Sequence, residues 1–181
     1  MEFIKTYQGV RFSPLAPKEE HIRIGDIAHA LSLMTRANGH FETFFSVAQH
    51  CLNCAREAAV RQYPGRVQLA CLLHDASEAY ISDLTRPVKH YLAEYEKIER
   101  KLQETIYAAL GPGSLTPEEK RALYEVDDAM LYYEFFHFTG DKVFPDPPPP
   151  PADPDFSWRP FKVVEMDFLE TYERLAGRIR T

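Results

Sequence analysis

No stretch of the chain reaches the roughly 18 unbroken apolar residues that a membrane-crossing helix requires, so no bilayer span is expected. The opening Met1-Glu2-Phe3-Ile4-Lys5 lacks the basic start, apolar run and small-residue cleavage site of a secretory signal, and a cytoplasmic location is the expectation. Cysteine is scarce: Cys51, Cys54 and Cys71 are the only 3, which does not suggest a disulfide framework. Cys51-x-x-Cys54 has the spacing of half a zinc site or a redox pair. It has no second CxxC to complete it and lies within a helical pattern, so these cysteines read as small, partly buried helix residues. Basic charge is in deficit as well. Lys and Arg number 21 against 27 Asp and Glu, a formal net charge of −6. That balance argues against a binder of nucleic-acid polymers, which needs a basic face. It leaves room for one small anion, held by a metal and a few cations in one pocket. Strand-like runs are few and no internal repeat is visible, so the expected fold class is all-α.

What is present fits one domain: 181 residues, 45% of them hydrophobic, enough to bury a core. The stretch up to about Gly25 reads as a loop or a small strand pair. A helix is expected after Asp26 as N-cap, with Ile27, Ala30, Leu31 and Met34 on one face and Asn38-Gly39 ending it. Ser46-Val47-Ala48-Gln49 has the form of a capping box and starts a helix to about Gln62, with His50 in its first turns. Residues 66–80 form a nearly all-apolar helix suited to the middle of the domain. Residues 87–110 read as one helix or two. Thr116-Pro117-Glu118-Glu119 combines an N-cap, a proline at the first helical position and a capping-box glutamate, for a helix to about Phe138. Prolines dominate 145–160, an extended surface loop rather than a domain linker. A last amphipathic helix covers about 161–178. The core of the single expected domain is 26–138.

The chemistry concentrates at His74-Asp75, which ends the apolar run Ala70-Cys71-Leu72-Leu73. Such groups are expensive to bury unless they bind something or each other; otherwise they mark a helix end that has reached solvent. His50 lies upstream and Val126-Asp127-Asp128 downstream, each at or near a different helix, as metal sites in bundle cores often require. Two imidazoles and two carboxylates suit a borderline or hard divalent ion such as Mn, Co, Fe, Ni, Zn or Mg.

Taken together, Ser46-Val47-Ala48-Gln49-His50, the run from Leu72 to Lys89 (LLHDASEAYISDLTRPVK) and Val126-Asp127-Asp128 followed by Glu134 resemble the HD-domain superfamily of metal-dependent phosphohydrolases, with its H…HD…D signature. The likeness is greatest to the bacterial 5′-deoxynucleotidases and their phage and prophage relatives, over about residues 26–134. It implies a helical bundle holding one divalent metal between helices, with His50, His74, Asp75 and Asp127 as ligands. Asp127 is preferred to Asp128 because the relatives have an apolar residue before the ligand and a glutamate after it where Val126 and Glu134 stand here. The resemblance makes Glu78 the residue that activates water. It places Asp83 beside the substrate, for catalysis or sugar recognition, and gives Arg36 and Lys89 to the phosphate. Without it, Glu78 is a surface glutamate, Asp83 a turn-stabilising aspartate, and Arg36 and Lys89 solvated charges.

One departure matters. The 5′-deoxynucleotidases follow their arginine with a tryptophan that excludes the ribose 2′-hydroxyl, but here Ala37 follows Arg36 and the sole tryptophan is Trp158. His40, Phe41 or Phe44 are the alternatives for walling the sugar or base. The remaining histidines lack the His-rich pattern of two-metal relatives, and the aromatics of 132–136 read as core or dimer surface. The leading expectation is a phosphohydrolase that releases phosphate from nucleoside, favouring deoxynucleoside, 5′-monophosphates, and works as a homodimer. The alternatives are a triphosphohydrolase of nucleoside triphosphates and a non-catalytic nucleotide-binding regulator.

Overall fold

The computed structural model describes residues 2–180. The N-terminal stretch makes a minimal antiparallel pair, β1 (Ile4–Lys5) and β2 (Arg11–Phe12). All other regular structure among the described residues is helical, apart from one isolated bridge between Thr35 and Ser46. Helix α1 (Ile24–Leu33) starts earlier than the pattern suggests. Asp26 is not its N-cap: it lies in the first turn, buried, and its carboxylate accepts the Gln8 backbone N–H at 2.6 Å. A polar side chain that looks like a helix start thus serves to tie the N-terminal segment down, a partnership far apart in sequence. After α1 the chain makes a single 3-10 turn, Arg36–Gly39, in which Ala37 and Asn38 take left-handed backbone angles (φ 49° and 50°). For alanine this costs about 1–2 kcal/mol. The turn is held by the Thr35–Ser46 bridge and by the Arg36 N–H donating to the Phe45 carbonyl at 2.8 Å.

Helix α2 (Val47–Val60) begins at the expected capping box: the Ser46 hydroxyl accepts the Gln49 N–H at 3.2 Å and the Gln49 side chain accepts the Ser46 N–H at 3.4 Å. Losing a cap of this kind costs about 1 kcal/mol. Ser46→Ala is expected to lower the urea-unfolding free energy by about that amount, and an unchanged midpoint would show the cap to be idle.

Helix α3 (Gly65–Leu73) stops sooner than its apolar pattern implies. Turns over 74–77 intervene before the short α4 (Glu78–Ile81). The break frees backbone groups that Gln103 satisfies: its amide donates to the Leu73 carbonyl at 2.7 Å and accepts the Ser77 N–H at 3.1 Å. Residues 87–110 resolve into two helices, α5 (Arg86–Lys89) and α6 (Ala93–Leu110), the latter ended by left-handed Gly111. Helix α7 (Pro117–Thr139) has the expected Thr116 capping box, and α8 (Phe161–Arg180) closes the chain.

Two apolar clusters share α2 and α3. The larger joins them to α1, α6 and α8 through Ile27, Leu31, Leu69, Leu72, Leu102, Ile106, Phe168 and Leu175. The smaller joins them to α7 through Cys54, Ala58, Val67, Cys71, Val126 and Met130. All-α is the observed class. The proline-rich loop lies along α2, where Gln49, Asn53 and Glu57, spaced one helical turn apart, bond to the backbone of Ser157, Asp155 and Ala152. None of its residues lines the cavity described below, so it ties α8 back. Among the described residues no helix is long and apolar enough to cross a membrane.

Candidate metal centre

Helix α2 brings His50, the turn after α3 brings His74 and Asp75, and α7 brings Asp127 to one point between helices. His50 Nε2 lies 3.2 Å from His74 Nε2 and 3.0 Å from Asp127 Oδ1. His74 Nε2 is 3.4 Å from the same Asp127 oxygen and 3.3 Å from Asp75 Oδ1. Asp75 Oδ2 stands 3.9 Å from His50 Nε2. Asp128, on the next face of α7, is half-exposed and accepts from Arg86 at 3.1 Å. The carboxylate that reaches both imidazoles is therefore that of Asp127.

Both rings are oriented from behind. His50 Nδ1 donates to Glu134 Oε1 at 2.6 Å, and His74 Nδ1 donates to the Cys71 carbonyl at 2.8 Å. A neutral imidazole whose Nδ1 carries the proton presents a lone pair on Nε2, and this backing arrangement is the one that metal-ligating histidines use. Glu134 is itself fully buried and held by Arg36, whose Nε and Nη2 donate to Oε2 at 3.2 and 3.1 Å. The Nη1 of Arg36 is 3.7 Å from Asp75 Oδ2. Arg36 thus braces two acids and is itself buried, its pKa raised further because Glu134 and Asp75 outweigh burial.

The electrostatics call for a cation. Burial opposes protonation of His50, as does the Arg36 charge, but Cys54, Glu134 and Asp127 outweigh them and hold its pKa well above the imidazole range. Burial is likewise overcome at His74 by Asp75, Cys51 and Asp127. Asp127 is pushed up by burial, yet hydrogen bonds from the two histidines hold it well below the carboxylate range. Without a metal, the acids draw positive charge onto the imidazoles as protons, and a divalent ion would supply that charge instead. The donor set of two nitrogens and two carboxylates fits such an ion.

Glu78, at the start of α4, is buried, and its Oε2 has no hydrogen-bond partner. Burial first, then the charges of Asp75 and Asp83, raise its pKa well above the carboxylate range. Asp83, in the loop after α4, influences Glu78 through charge alone. A cavity of about 680 Å³ opens on His74, Asp75 and Asp127 and runs between α6 and α7 past Lys89, Arg100 and Lys120. Lys89 is bound to Glu99 at 2.6 Å. Arg86, which sequence reasoning did not single out, lies 3.7 Å from Asp127 Oδ2.

The structure draws His50, His74, Asp75 and Asp127 into one cluster. It keeps Asp83 and Lys89 outside that cluster and holds Arg36 on Glu134. Sequence reasoning missed the bracing role of Glu134, although its place after Asp127 was noticed, and it missed the thiols. Cys54 Sγ lies 3.5 Å from His50 Nε2, and the Cys51 sulfur lies within 4.8 Å of ligand atoms of His74 and Asp75. The signal available was Cys54 one helical turn after His50. Trp158, His40, Phe41 and Phe44 do not line the cavity. In the aromatic run, Tyr132 is buried and Phe135 packs edge-on to Phe41, while Phe136 is exposed. Among the other histidines, His29 stacks on Tyr7 and bonds Glu165.

No protein-family model matches the chain. It is 37% identical over 111 residues to the uncharacterized protein YfdR of Escherichia coli, covering 61% of this chain and 60% of that protein. Identity is 33% over 154 residues to the uncharacterized protein RCAP_rcc00048 of Rhodobacter capsulatus, covering 78% of each. A third relative, named 5′-deoxynucleotidase ECA3034, of Pectobacterium atrosepticum, is 35% identical over 83 residues, which is 38% of this chain and 42% of that protein. The chain thus spans about three fifths of YfdR's length and about two fifths of the deoxynucleotidase's.

Proposed function

The chain belongs to the same family as the Rhodobacter capsulatus protein RCAP_rcc00048, and we propose that it is an HD-type, metal-dependent phosphohydrolase of nucleoside 5′-monophosphates. The observation that carries this reading is the convergence of His50, His74, Asp75 and Asp127, the last three of which line a cavity of about 680 Å³, large enough for a nucleotide. The partial relatives named 5′-deoxynucleotidase support the same reaction class.

A divalent ion held by those four residues would lower the pKa of a water and polarise a phosphoryl oxygen. Glu78 is the proton acceptor: its unpartnered Oε2 and raised pKa suit it to take a proton from the attacking water as the phosphorus–oxygen ester bond breaks, the leaving 5′-oxygen taking up a proton to depart as the nucleoside hydroxyl. Asp83 contributes by its charge, which makes Glu78 the stronger base. Arg36 keeps Glu134 and Asp75 in place, with Nη1 as its point of approach to a phosphoryl oxygen. Lys89 would reach the phosphate by exchanging Glu99 for it.

The charge pattern favours one phosphate over three. Lys89, Arg100 and Lys120 share the cavity lining with Glu96, Glu99 and Glu104, so among the described residues its charge is of mixed sign rather than cationic. Preference for deoxyribose rests on the partial relatives' names alone. A panel of ribo- and deoxynucleoside mono- and triphosphates, with phosphate and triphosphate quantified separately, tests the reading. Inorganic phosphate from monophosphates is expected. Release of intact triphosphate, or no hydrolysis by folded, metal-loaded protein, would contradict it.

A further inference from the structure

Cys54, at the metal centre, has no part in the reaction proposed above, and its position gives it one. Cys54 follows His50 by one turn of α2, on the same face. Its Sγ is 3.5 Å from Nε2 of His50, the nitrogen turned toward His74 and Asp127, because Nδ1 is committed to Glu134. Ligand atoms of His50, Cys54, His74 and Asp127 all lie within 4.8 Å of one another.

The separations can be compared with a coordination shell. For metal–ligand bonds of about 2.0–2.3 Å, the edges of a tetrahedron are about 3.3–3.6 Å, longest where sulfur takes part. In the structure the separations are 3.2 Å between the imidazole nitrogens, 3.0 and 3.4 Å from them to Asp127, and 3.5 Å from His50 Nε2 to the sulfur, which lies within 4.8 Å of the His74 and Asp127 donors. Cys54 is 1% exposed, whereas the side chains of Asp75 and Asp127 are 18% and 22% exposed. The thiol therefore approaches from the closed side of the site, and the carboxylates border the open side where water and substrate enter.

We propose that Cys54 supplies a thiolate donor to the metal, making this a mixed nitrogen, oxygen and sulfur centre that takes zinc or cobalt in preference to magnesium. The preference follows from ligand softness: thiolate favours zinc-like ions, while magnesium is held by oxygen. The proposal rests on the metal centre described above. It departs from the view of Cys54 as only a filler of the smaller apolar cluster, which it also joins.

Cobalt is the probe. Metal-stripped full-length protein is loaded with Co²⁺, and bound cobalt per chain is counted while the near-ultraviolet spectrum is recorded. Bound cobalt with a sulfur-to-cobalt charge-transfer band is expected. The band should vanish in Cys54→Ser and persist in Cys51→Ser, with zinc affinity in Cys54→Ser lowered by about 10–100-fold or more, the range seen for outer hydrogen-bond partners. X-ray absorption on the wild-type protein decides the matter even where the serine variant does not fold, through a sulfur neighbour at about 2.3 Å. Cobalt bound with no band and no sulfur neighbour overturns the thiolate and leaves the metal centre standing. A band that survives in Cys54→Ser also overturns it. Folded protein that binds no cobalt overturns the metal centre and the thiolate together.

Discussion

Replacing Glu78 with glutamine is expected to leave bound metal per chain unchanged and to lower kcat for phosphate release by about 10²–10⁴-fold, the usual contribution of a positioned proton acceptor. Glu78 is buried with one carboxylate oxygen unpartnered, and burial with the charges of Asp75 and Asp83 keeps its pKa high. A buried oxygen without a partner costs free energy in the resting protein, and the O–H of an attacking water would supply that partner. Glutamine keeps the shape and removes the basicity. Steady-state kinetics beside a metal assay separate the roles: kcat reduced with metal retained assigns Glu78 to proton transfer, whereas metal lost in parallel would make it a support of the ligands. Asp83→Asn should act in the same direction and more weakly, because its influence on Glu78 is through charge alone.

The second large effect is on stability. Glu134→Ala removes the carboxylate that accepts from both His50 Nδ1 and Arg36. All three side chains are almost wholly enclosed, with side-chain exposures of 0% for His50 and Glu134 and 11% for Arg36. Breaking a buried ion pair from one side typically costs about 3–5 kcal/mol, because the remaining charge is left uncompensated. Urea unfolding should report a loss of that size. Pairing Glu134→Ala with Arg36→Met, which removes the stranded charge as well, should recover part of it. A Glu134→Ala variant as stable as wild type would mean that Arg36 finds another partner.

Much of this site was legible in the sequence, and the reasons are local. The Ser46–Gln49 capping box is a contact between near neighbours, so it fixes the start of α2 and the position of His50 in its first turn. Likewise Thr116 fixes the start of α7 and, through it, where Asp127 falls. What could not be read depends on distant partners. Residues 66–80 contain no glycine or proline to stop a helix, yet α3 ends at Leu73, where Gln103, on α6, satisfies the freed backbone. That break turns His74 and Asp75 toward α2 and α7. Asp26 looks like a helix cap and instead binds the Gln8 backbone. Arg36, read as a cation for phosphate, is bound to Glu134 from the far end of α7, a pairing across 98 positions that no spacing rule predicts. Asp127 and Asp128 differ by about 100° around a helix; the resemblance favours Asp127, and the packing of Val126 and Met130 in the smaller cluster goes with Asp127 facing the histidines.

In the function proposed above, one divalent metal, held by His50, His74, Asp75 and Asp127, carries nucleotide hydrolysis. The most direct test strips the protein of metal and titrates it back while following inorganic phosphate released from a deoxynucleoside monophosphate, in wild type, Asp127→Ala and Asp128→Ala. Activity is expected to rise to saturation near one metal per chain in wild type and Asp128→Ala, with neither tight metal binding nor phosphate release in Asp127→Ala. Equal recovery in Asp127→Ala, or full activity in stripped wild type under excess chelator, would contradict it.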